Sequence, residues 1–332
     1  MLYGTIPHVD RPVSRIVFGT AMPTMFNAFR SVYENAPDFP QRLQAAFDLL
    51  DAVYALGVNC FDCADHYGEE PLGEWIVSRG LQDKVVVLAK GAHHNRWRKR
   101  ITDFDILHDA HNSLAKLGVK KLDLYLLHRD DPAVPVGPIV DVLNRLYDEG
   151  KIGAFGGSNW TRARIEEANE YAAKHGLQGF TVSSPHYSLA DQVCDLWGGG
   201  CVTLTGADGA AERAYYAHTH MPVFAYSSLA RGFFSGKFTS DQREKAEQLL
   251  DPFAVKGYLA PVNLERLRRC EELSARKGAS VSQIALAWLF AQSDLDLYAL
   301  ISTSSPARMR QNIDALDLKL TDGECRYLLN GV

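Results

Sequence analysis

Eight short apolar segments constrain the fold of this chain more than any other feature of its sequence. They are rich in aliphatic and β-branched residues, and they are nearly continuous rather than alternating, which is typical of parallel strands covered on both faces. The segments are RIVFGT (15–20), VNCFD (58–62), KVVVLAK (84–90), LDLYLLH (122–128), IGAFGGS (152–158), FTVSS (180–184), PVFAYS (222–227) and LYALIS (297–302).

Stretches with helical spacing separate most of these segments. In the stretch before the second segment, every third or fourth residue is apolar, which predicts one buried helical face made of Leu43, Phe47, Leu50 and Tyr54. A glycine then ends the helix, because glycine adopts the left-handed conformation of a C-terminal cap without strain. This glycine is Gly57, and Gly118 and Gly176 follow two later helical stretches in the same way.

Eight strands alternating with helices predict an α/β fold, a closed (β/α)8 TIM barrel. We expect a single domain over residues 1–332, with an N-terminal extension and long loops at the C-terminal face. An open, doubly wound sheet is the alternative, but no strand is followed by the G-x-G-x-x-G turn typical of that fold. Residues 188–221 interrupt the repeat with three consecutive glycines and a helix from about residue 208, so this segment is expected to be a lid or an insertion.

Composition narrows the possible partners. A net charge of -5 over 332 residues argues against general affinity for nucleic acid or anionic membranes, and the basic run at 96–100 is interpreted as a solvated face. No apolar run is long enough to cross a bilayer, and the first residues resemble no targeting signal, so a cytoplasmic location is expected. The cysteines are expected to be reduced. Cys60 and Cys63 lie in a predicted strand, where residues three apart face opposite sides and cannot readily share a metal or a disulfide.

Polar residues stand at the carboxyl end of nearly every predicted strand, which is where barrel enzymes carry their active sites. Lysine beside tyrosine stabilises a phenolate, and an aspartate paired with the lysine fixes its position, so the pKa of Tyr67 is expected to move from about 10 toward the working range. Such a tyrosine can protonate a carbonyl oxygen, and a neutral imidazole at His128 can orient that carbonyl. The strand-end residues are Asp62 with Tyr67, Lys90, His128, Ser158 with Asn159, Ser184, Tyr226 with Ser227, and Ser302 with Thr303.

Six motifs in order resemble the aldo-keto reductases, over nearly the whole chain. They are F-D-C-A-D-H-Y-G, the lysine that ends strand three, L-Y-L-L-H, G-G-S-N, A-Y-S-S-L and S-S-P-A-R-M-R-Q-N. The resemblance implies a nicotinamide-dependent oxidoreductase with the catalytic tetrad Asp62, Tyr67, Lys90 and His128, in which Tyr67 is the general acid. Hydride then passes from the nicotinamide to the carbonyl carbon.

The same resemblance assigns the cofactor contacts. Ser158 and Asn159 bind the carboxamide, Tyr226 stacks on the nicotinamide, and Arg308 favours NADPH because a guanidinium can clamp the 2′-phosphate, although NADH stays possible. Two positions depart from the family: Ser184 replaces the usual glutamine beneath the carboxamide, and Ser302 replaces a lysine that some members use for the 2′-phosphate. The full cofactor set is Gly19, Thr20, Asp62, Ser158, Asn159, Ser184, Tyr226, Ser227, Leu229, Arg231, Thr303, Ser304, Arg308, Gln311 and Asn312.

Loop composition suggests the substrate. The predicted mouth is rich in hydrogen-bonding groups, which favours a polar, sugar-like carbonyl and a place in carbohydrate metabolism. The residues expected to contact it are His93, Trp97, Arg129 and Trp160. No metal site is expected, since the adjacent His93 and His94 lack a carboxylate partner at ligand spacing.

Two other functions remain open from the sequence. One is a nicotinamide-binding redox sensor or regulatory subunit with little turnover, because the same fold can hold the cofactor without fast chemistry. The other is a metal-dependent barrel hydrolase. A homo-oligomer is possible.

Overall fold

Eight parallel strands form a closed barrel, as the sequence predicts. A computed structural model describes residues 1–332. The strand order around the barrel is β10-β3-β4-β5-β6-β7-β8-β9, which excludes the open sheet. The barrel strands are β3 (Ile16–Gly19), β4 (Cys60–Asp62), β5 (Val86–Gly91), β6 (Leu122–Leu127), β7 (Ile152–Ser158), β8 (Val182–Ser184), β9 (Val223–Ala225) and β10 (Leu297–Ile301). All eight predicted strands are present, and no bound differs from its prediction by more than two residues.

A short antiparallel ribbon precedes the barrel, formed by β1 (Tyr3–Gly4) and β2 (Val13–Ser14). Fourteen helices follow along the chain, and none is long and apolar enough to span a bilayer. They are α1 (Pro23–Phe26), α2 (Arg30–Tyr33), α3 (Phe39–Ala55), α4 (Glu69–Arg79), α5 (Asp103–Leu117), α6 (Val136–Asp148), α7 (Arg162–His175), α8 (Ala210–Thr219), α9 (Ala246–Leu249), α10 (Pro252–Tyr258), α11 (Pro261–Lys277), α12 (Val281–Phe290), α13 (Pro306–Asp314) and α14 (Asp322–Asn330).

Local signals in the sequence set the helix ends. Thr161 accepts a hydrogen bond from the backbone N–H of Arg164 and so caps α7. Gly118 and Gly176 end their helices in the left-handed conformation, and Gly57 adopts it two residues beyond Ala55, the last residue of α3.

The buried face of α3 differs from its prediction. The structure buries Ala46, Leu49, Leu50 and Val53, so only Leu50 of the predicted stripe is fully covered. Helical spacing fits two neighbouring stripes here, and the tertiary packing selects the one with smaller side chains.

Glycine allows close strand pairing at the centre of β7. A Cβ placed on Gly156 would lie 1.8 Å from the carbonyl oxygen of Val182, the residue it pairs with on β8. No other residue fits at this position without separating the two strands.

The chain divides into two compact units. Met1–Ser184 and Ser302–Pro306 form the first, and Pro185–Ile301 with Ala307–Val332 form the second. The prediction of one domain over residues 1–332 stays a prediction, as does the role of 188–221 as a lid. The helix expected from about residue 208 is confirmed as α8.

Candidate active site

Three of the four predicted catalytic side chains are joined by hydrogen bonds in the first unit. The Nζ of Lys90, buried on β5, donates to the Tyr67 hydroxyl at 2.9 Å and to Oδ1 of Asp62. The Tyr67 hydroxyl in turn lies 3.3 Å from Oδ2 of Asp62, to which it can donate. The ring of His128, which follows β6, meets the Tyr67 ring edge-on with centroids 6.0 Å apart. The structure therefore brings the predicted tetrad together.

A tight turn after β4 presents Tyr67 at the end of the strand. The backbone N–H of Asp65 donates to the carbonyl of Lys90 at 3.1 Å, which anchors the turn to β5. Gly68 then has a φ of +75°, and a Cβ there would lie 1.8 Å from Oγ1 of Thr20. Only glycine satisfies both conditions, so the sequence Tyr-Gly fixes the start of α4 and with it the place of the phenol.

Burial controls the protonation of Tyr67 and Lys90. Burial raises the pKa of Tyr67 well above its usual range, and the nearby Cys63, Asp65 and Glu69 add to the rise. The expectation that Lys90 would lower this pKa is therefore wrong, because the cost of a buried phenolate outweighs the stabilisation by the lysine. Burial lowers the pKa of Lys90 to about 7, and the carboxylate of Asp62 in contact with it opposes that shift.

His128 is neutral, as predicted. Burial lowers its pKa well below the ordinary value for histidine, and the charge of Lys90 lowers it further. Its Nδ1 is buried without a hydrogen-bond partner. A neutral imidazole can donate one hydrogen bond to a carbonyl without bringing a second positive charge beside Lys90.

A second polar group lies at the ends of β7 and β8, which pair through Ser158 and Ser184. The Ser158 hydroxyl donates to the Ser184 carbonyl at 3.0 Å, and the Asn159 amide donates to the Ser158 hydroxyl at 3.2 Å. Asn159 has a φ of +58°, in the left-handed region that asparagine enters more readily than most residues. The predicted carboxamide residues therefore form one hydrogen-bonded cluster.

The predicted cofactor residues at the end of β3 also contact their neighbours. The Thr20 hydroxyl is buried and donates to the carbonyl of Asp62 at 2.7 Å. The Ser302 hydroxyl donates to the carbonyl of Gly19, also at 2.7 Å. The structure thus gives both Thr20 and Ser302 a structural partner.

In the second unit, the loop after β9 contains the predicted residues Tyr226, Ser227, Leu229 and Arg231. Ser227 and Arg231 both have positive φ, at +52° and +54°. The backbone N–H groups of Ala230 and Gly232 donate within the loop, to the carbonyls of Ser227 and Leu229. The Arg231 guanidinium is paired with Asp251 at 3.2 Å and lies over the ring of Trp197, which fixes this loop to its surroundings.

The residues predicted to bind the adenosine end lie just before α13 in the chain and on α13 itself. Thr303 and Ser304 precede the helix in the first unit. In the second unit, Arg308 and Gln311 are exposed on the helix and Asn312 is buried. The structure therefore leaves Arg308 accessible to a ligand.

The four predicted substrate residues differ in their exposure to solvent. His93 is half-buried, with its ring 4.7 Å from that of His128, and Arg129 is buried. Trp97 is 75% exposed on the loop after β5. Trp160 is fully buried against Phe180, which favours a packing role over the predicted substrate contact.

Sequence reasoning assigned no role to His66, which the structure places beside the tetrad. Its ring stacks on that of His128 with centroids 5.3 Å apart and meets that of Tyr67 at 5.0 Å. The only signal was its position between Asp65 and Tyr67 in the turn after β4.

Comparison with known proteins identifies the family. Residues 15–329 match the model of the Aldo/keto reductase family. The chain belongs to this family. It is 27% identical over 280 residues to aldo-keto reductase YhdN of Bacillus subtilis (strain 168), which covers 80% of this chain and 77% of the relative. It is 26% identical over 305 residues to aldo-keto reductase yakc [NADP(+)] of Schizosaccharomyces pombe, which covers 87% of this chain and 83% of the relative.

A solved structure has the same fold. The glycerol dehydrogenase AKR11B4 from Gluconobacter oxydans superposes with a TM-score of 0.72 at 21% identity, covering 98% of this chain and 93% of the other. As an aldo-keto reductase, the protein is an oxidoreductase acting on carbonyl groups.

Proposed function

We propose that this aldo-keto reductase uses NADPH to reduce a small, polar aldehyde or ketone to an alcohol, with Tyr67 as the proton donor. The observation that carries the proposal is the hydrogen-bonded group of Asp62, Lys90 and Tyr67, with the neutral His128 beside it. When bound, the cofactor supplies the hydride.

Each side chain of the tetrad has a distinct task in this proposal. Because the pKa of Tyr67 is raised, its phenol keeps its proton until a carbonyl oxygen gains charge and becomes the stronger base. The Nζ of Lys90, at 2.9 Å, then stabilises the phenolate that remains. Asp62 holds the ammonium in place, and His128 orients the carbonyl by a hydrogen bond.

The polar residues at the strand ends fit a nicotinamide. The side-chain amide of Asn159 carries both a carbonyl and an NH2 group, which match those of the carboxamide, and the Ser158 hydroxyl lies next to it. By the family resemblance, Tyr226 would stack on the nicotinamide ring and the loop that includes Ser227 and Arg231 would hold the pyrophosphate.

The preference for NADPH rests on Arg308. This arginine is exposed on α13, where a guanidinium can form two hydrogen bonds to a phosphate. The name of the Schizosaccharomyces pombe relative, which includes NADP(+), supports the same cofactor. We expect Arg308→Ala to raise the KM for NADPH by about tenfold or more and to leave that for NADH unchanged, with exposed Arg310 on the same helix as the matched control.

The preference for a polar substrate rests on the side chains near Tyr67. His66 and His93 surround it with groups that bind hydroxyls. The test compares NADPH consumption with glyceraldehyde, xylose, benzaldehyde and hexanal. Higher kcat/KM for the hydroxylated aldehydes supports the proposal, and equal or higher values for the apolar ones would overturn the substrate class.

A protein that binds NADPH tightly and reduces none of these compounds would contradict the enzymatic proposal itself. The sensor interpretation would then gain support. Binding is measured by the quenching of protein fluorescence, which is independent of turnover.

A further inference from the structure

Three histidines from different parts of the chain converge beside Tyr67. His66 lies in the turn after β4, His93 in the loop after β5, and His128 directly after β6. One ligand nitrogen of each lies within 4.8 Å of the others. The parallel strands bring these three loops to one edge, so the cluster is a product of the barrel and not of any local sequence motif.

Two of these imidazoles, His66 and His93, are held through Nδ1 by hydrogen bonds that leave Nε2 able to bind a metal ion. The Nδ1 of His66 lies 2.8 Å from the carboxylate of Asp65, and the Nδ1 of His93 lies 2.8 Å from the carbonyl of His94. Both partners are acceptors, so each Nδ1 carries the proton and each Nε2 keeps a lone pair. Histidines that bind metals are usually oriented in this way, by a carboxylate or a backbone carbonyl on the other ring nitrogen.

The third imidazole lacks such a partner. His128 has its Nδ1 buried without a hydrogen bond in the protein. A buried polar atom without a partner is uncommon and calls for an explanation, such as an ion or a ligand.

We propose that His66, His93 and His128 bind a divalent transition-metal ion, best represented by Zn2+, at the mouth of the active site. Three imidazoles without a carboxylate ligand select Zn2+, Co2+, Ni2+ or Cu2+ over Mg2+ or Ca2+. In a tetrahedral site with metal–nitrogen bonds of about 2.0–2.1 Å, the nitrogens are about 3.3 Å apart. No two of the nitrogens therefore have to approach by more than about 1.5 Å.

The metal would control access to the reaction. It would hold the imidazole of His128 and occupy the space next to Tyr67 in which the substrate carbonyl has to bind. Metal binding and carbonyl binding therefore exclude each other. This consequence, unlike the binding itself, rests on the proposed reductase function, and it makes Zn2+ an inhibitor competitive with the carbonyl substrate.

The test begins with binding, on protein free of any histidine tag. Competition with a chromogenic chelator should show one Zn2+ per chain, and Co2+ should give the intense visible absorption of a four- or five-coordinate nitrogen site. His66→Asn should weaken binding by at least about tenfold. His175→Asn is the matched control, because His175 also bonds a backbone carbonyl through Nδ1 but lies on the exposed end of α7.

The outcomes separate the two levels of the proposal. Absence of stoichiometric binding, or equal affinity in wild type and His66→Asn, would overturn the metal site whether or not the protein is an active reductase. Tight binding with a normal rate in saturating Zn2+ would overturn the inhibition alone. Competitive inhibition in wild type and His175→Asn, with resistance in His66→Asn, supports both.

Discussion

The ammonium of Lys90 donates a hydrogen bond of 2.9 Å to the hydroxyl of Tyr67, and the lysine is buried while the tyrosine is partly exposed. The same ammonium contacts Asp62, which is 4% exposed. This relationship is expected to join catalysis and stability, because one buried cation contacts both the proposed proton donor and a buried carboxylate.

Replacing Tyr67 with phenylalanine removes the proposed proton donor and little else. We expect kcat for carbonyl reduction to fall by about a hundredfold to ten-thousandfold, which is the usual contribution of a general acid, with the affinity for NADPH retained. Steady-state kinetics and a fluorescence titration of the cofactor measure the two effects. Tyr54→Phe, a half-buried tyrosine packed on Trp75, is the matched control and should keep full activity. Equal rates in Tyr67→Phe and wild type would show that the proton comes from elsewhere.

Removing the charge of Lys90 should destabilise the fold as well as the reaction. Lys90→Met leaves the carboxylate of Asp62 buried without its cation, which typically costs about 3–5 kcal/mol in the free energy of unfolding. The double variant Asp62→Asn with Lys90→Met should recover much of this loss, since no charge then remains unpaired. Urea unfolding of wild type, the two single variants and the double variant measures the free energies of this double-mutant cycle.

An exposed ion pair provides the comparison for that cycle. Lys121 and Asp10 lie 2.7 Å apart at the surface, so Lys121→Met should cost less than about 1 kcal/mol. Similar losses for Lys90→Met and Lys121→Met would contradict the buried-pair argument.

The positions of the proposed catalytic side chains could be predicted from the sequence because each one follows from the place of a single strand in the barrel. Once eight parallel strands are recognised, the residue that ends each strand lies on one rim, so Asp62, Lys90 and His128 are predicted to meet without knowledge of any contact. The same reasoning places Ser158 beside Ser184, which pair in the register of β7 and β8.

Properties that depend on packing could not be predicted in this way. The pKa of Tyr67 depends on how completely its hydroxyl is buried, and residue types alone do not give that. Trp160 follows a strand end as the catalytic residues do, yet its ring turns into the core against Phe180. The cluster of His66, His93 and His128 involves three loops, whose conformations no short-range pattern specifies.

Glu69 should make stability depend on pH. Burial raises the pKa of Glu69 from 4.5 to about 7, while a hydrogen bond from Ser113 opposes the shift. Because this pKa is raised in the folded state, the folded chain binds more protons than the unfolded chain between these values, and stability falls as the pH rises through this window. The shift corresponds to about 3 kcal/mol at most.

Glu69→Gln removes the cost of burying a charged carboxylate, while the carbonyl of the new glutamine side chain still accepts a hydrogen bond from Ser113. The variant should match wild type in urea unfolding at pH 5 and exceed it by up to about 3 kcal/mol at pH 8. In this variant Lys116 loses its ion pair with Glu69, at 3.5 Å, but still donates to the backbone carbonyl of Asp65 at 2.8 Å. A difference between the two proteins that does not change with pH would contradict the assignment.

Substitutions at the two glycines that flank α4 distinguish the cost of backbone strain from the cost of steric overlap. Gly68 and Gly80 both have positive φ, at +75° and +62°, but a Cβ on Gly80 would meet nothing within 4 Å, while one on Gly68 would overlap Thr20. Gly80→Ala should therefore cost only the left-handed strain of about 1–2 kcal/mol. Gly68→Ala should cost about 1–3 kcal/mol more, because the overlap must be relieved. It should also lower kcat, since the turn that holds Tyr67 has to move. Thermal unfolding and kinetics measure both effects, and equal losses in the two variants would show that the contact with Thr20 does not hold the turn.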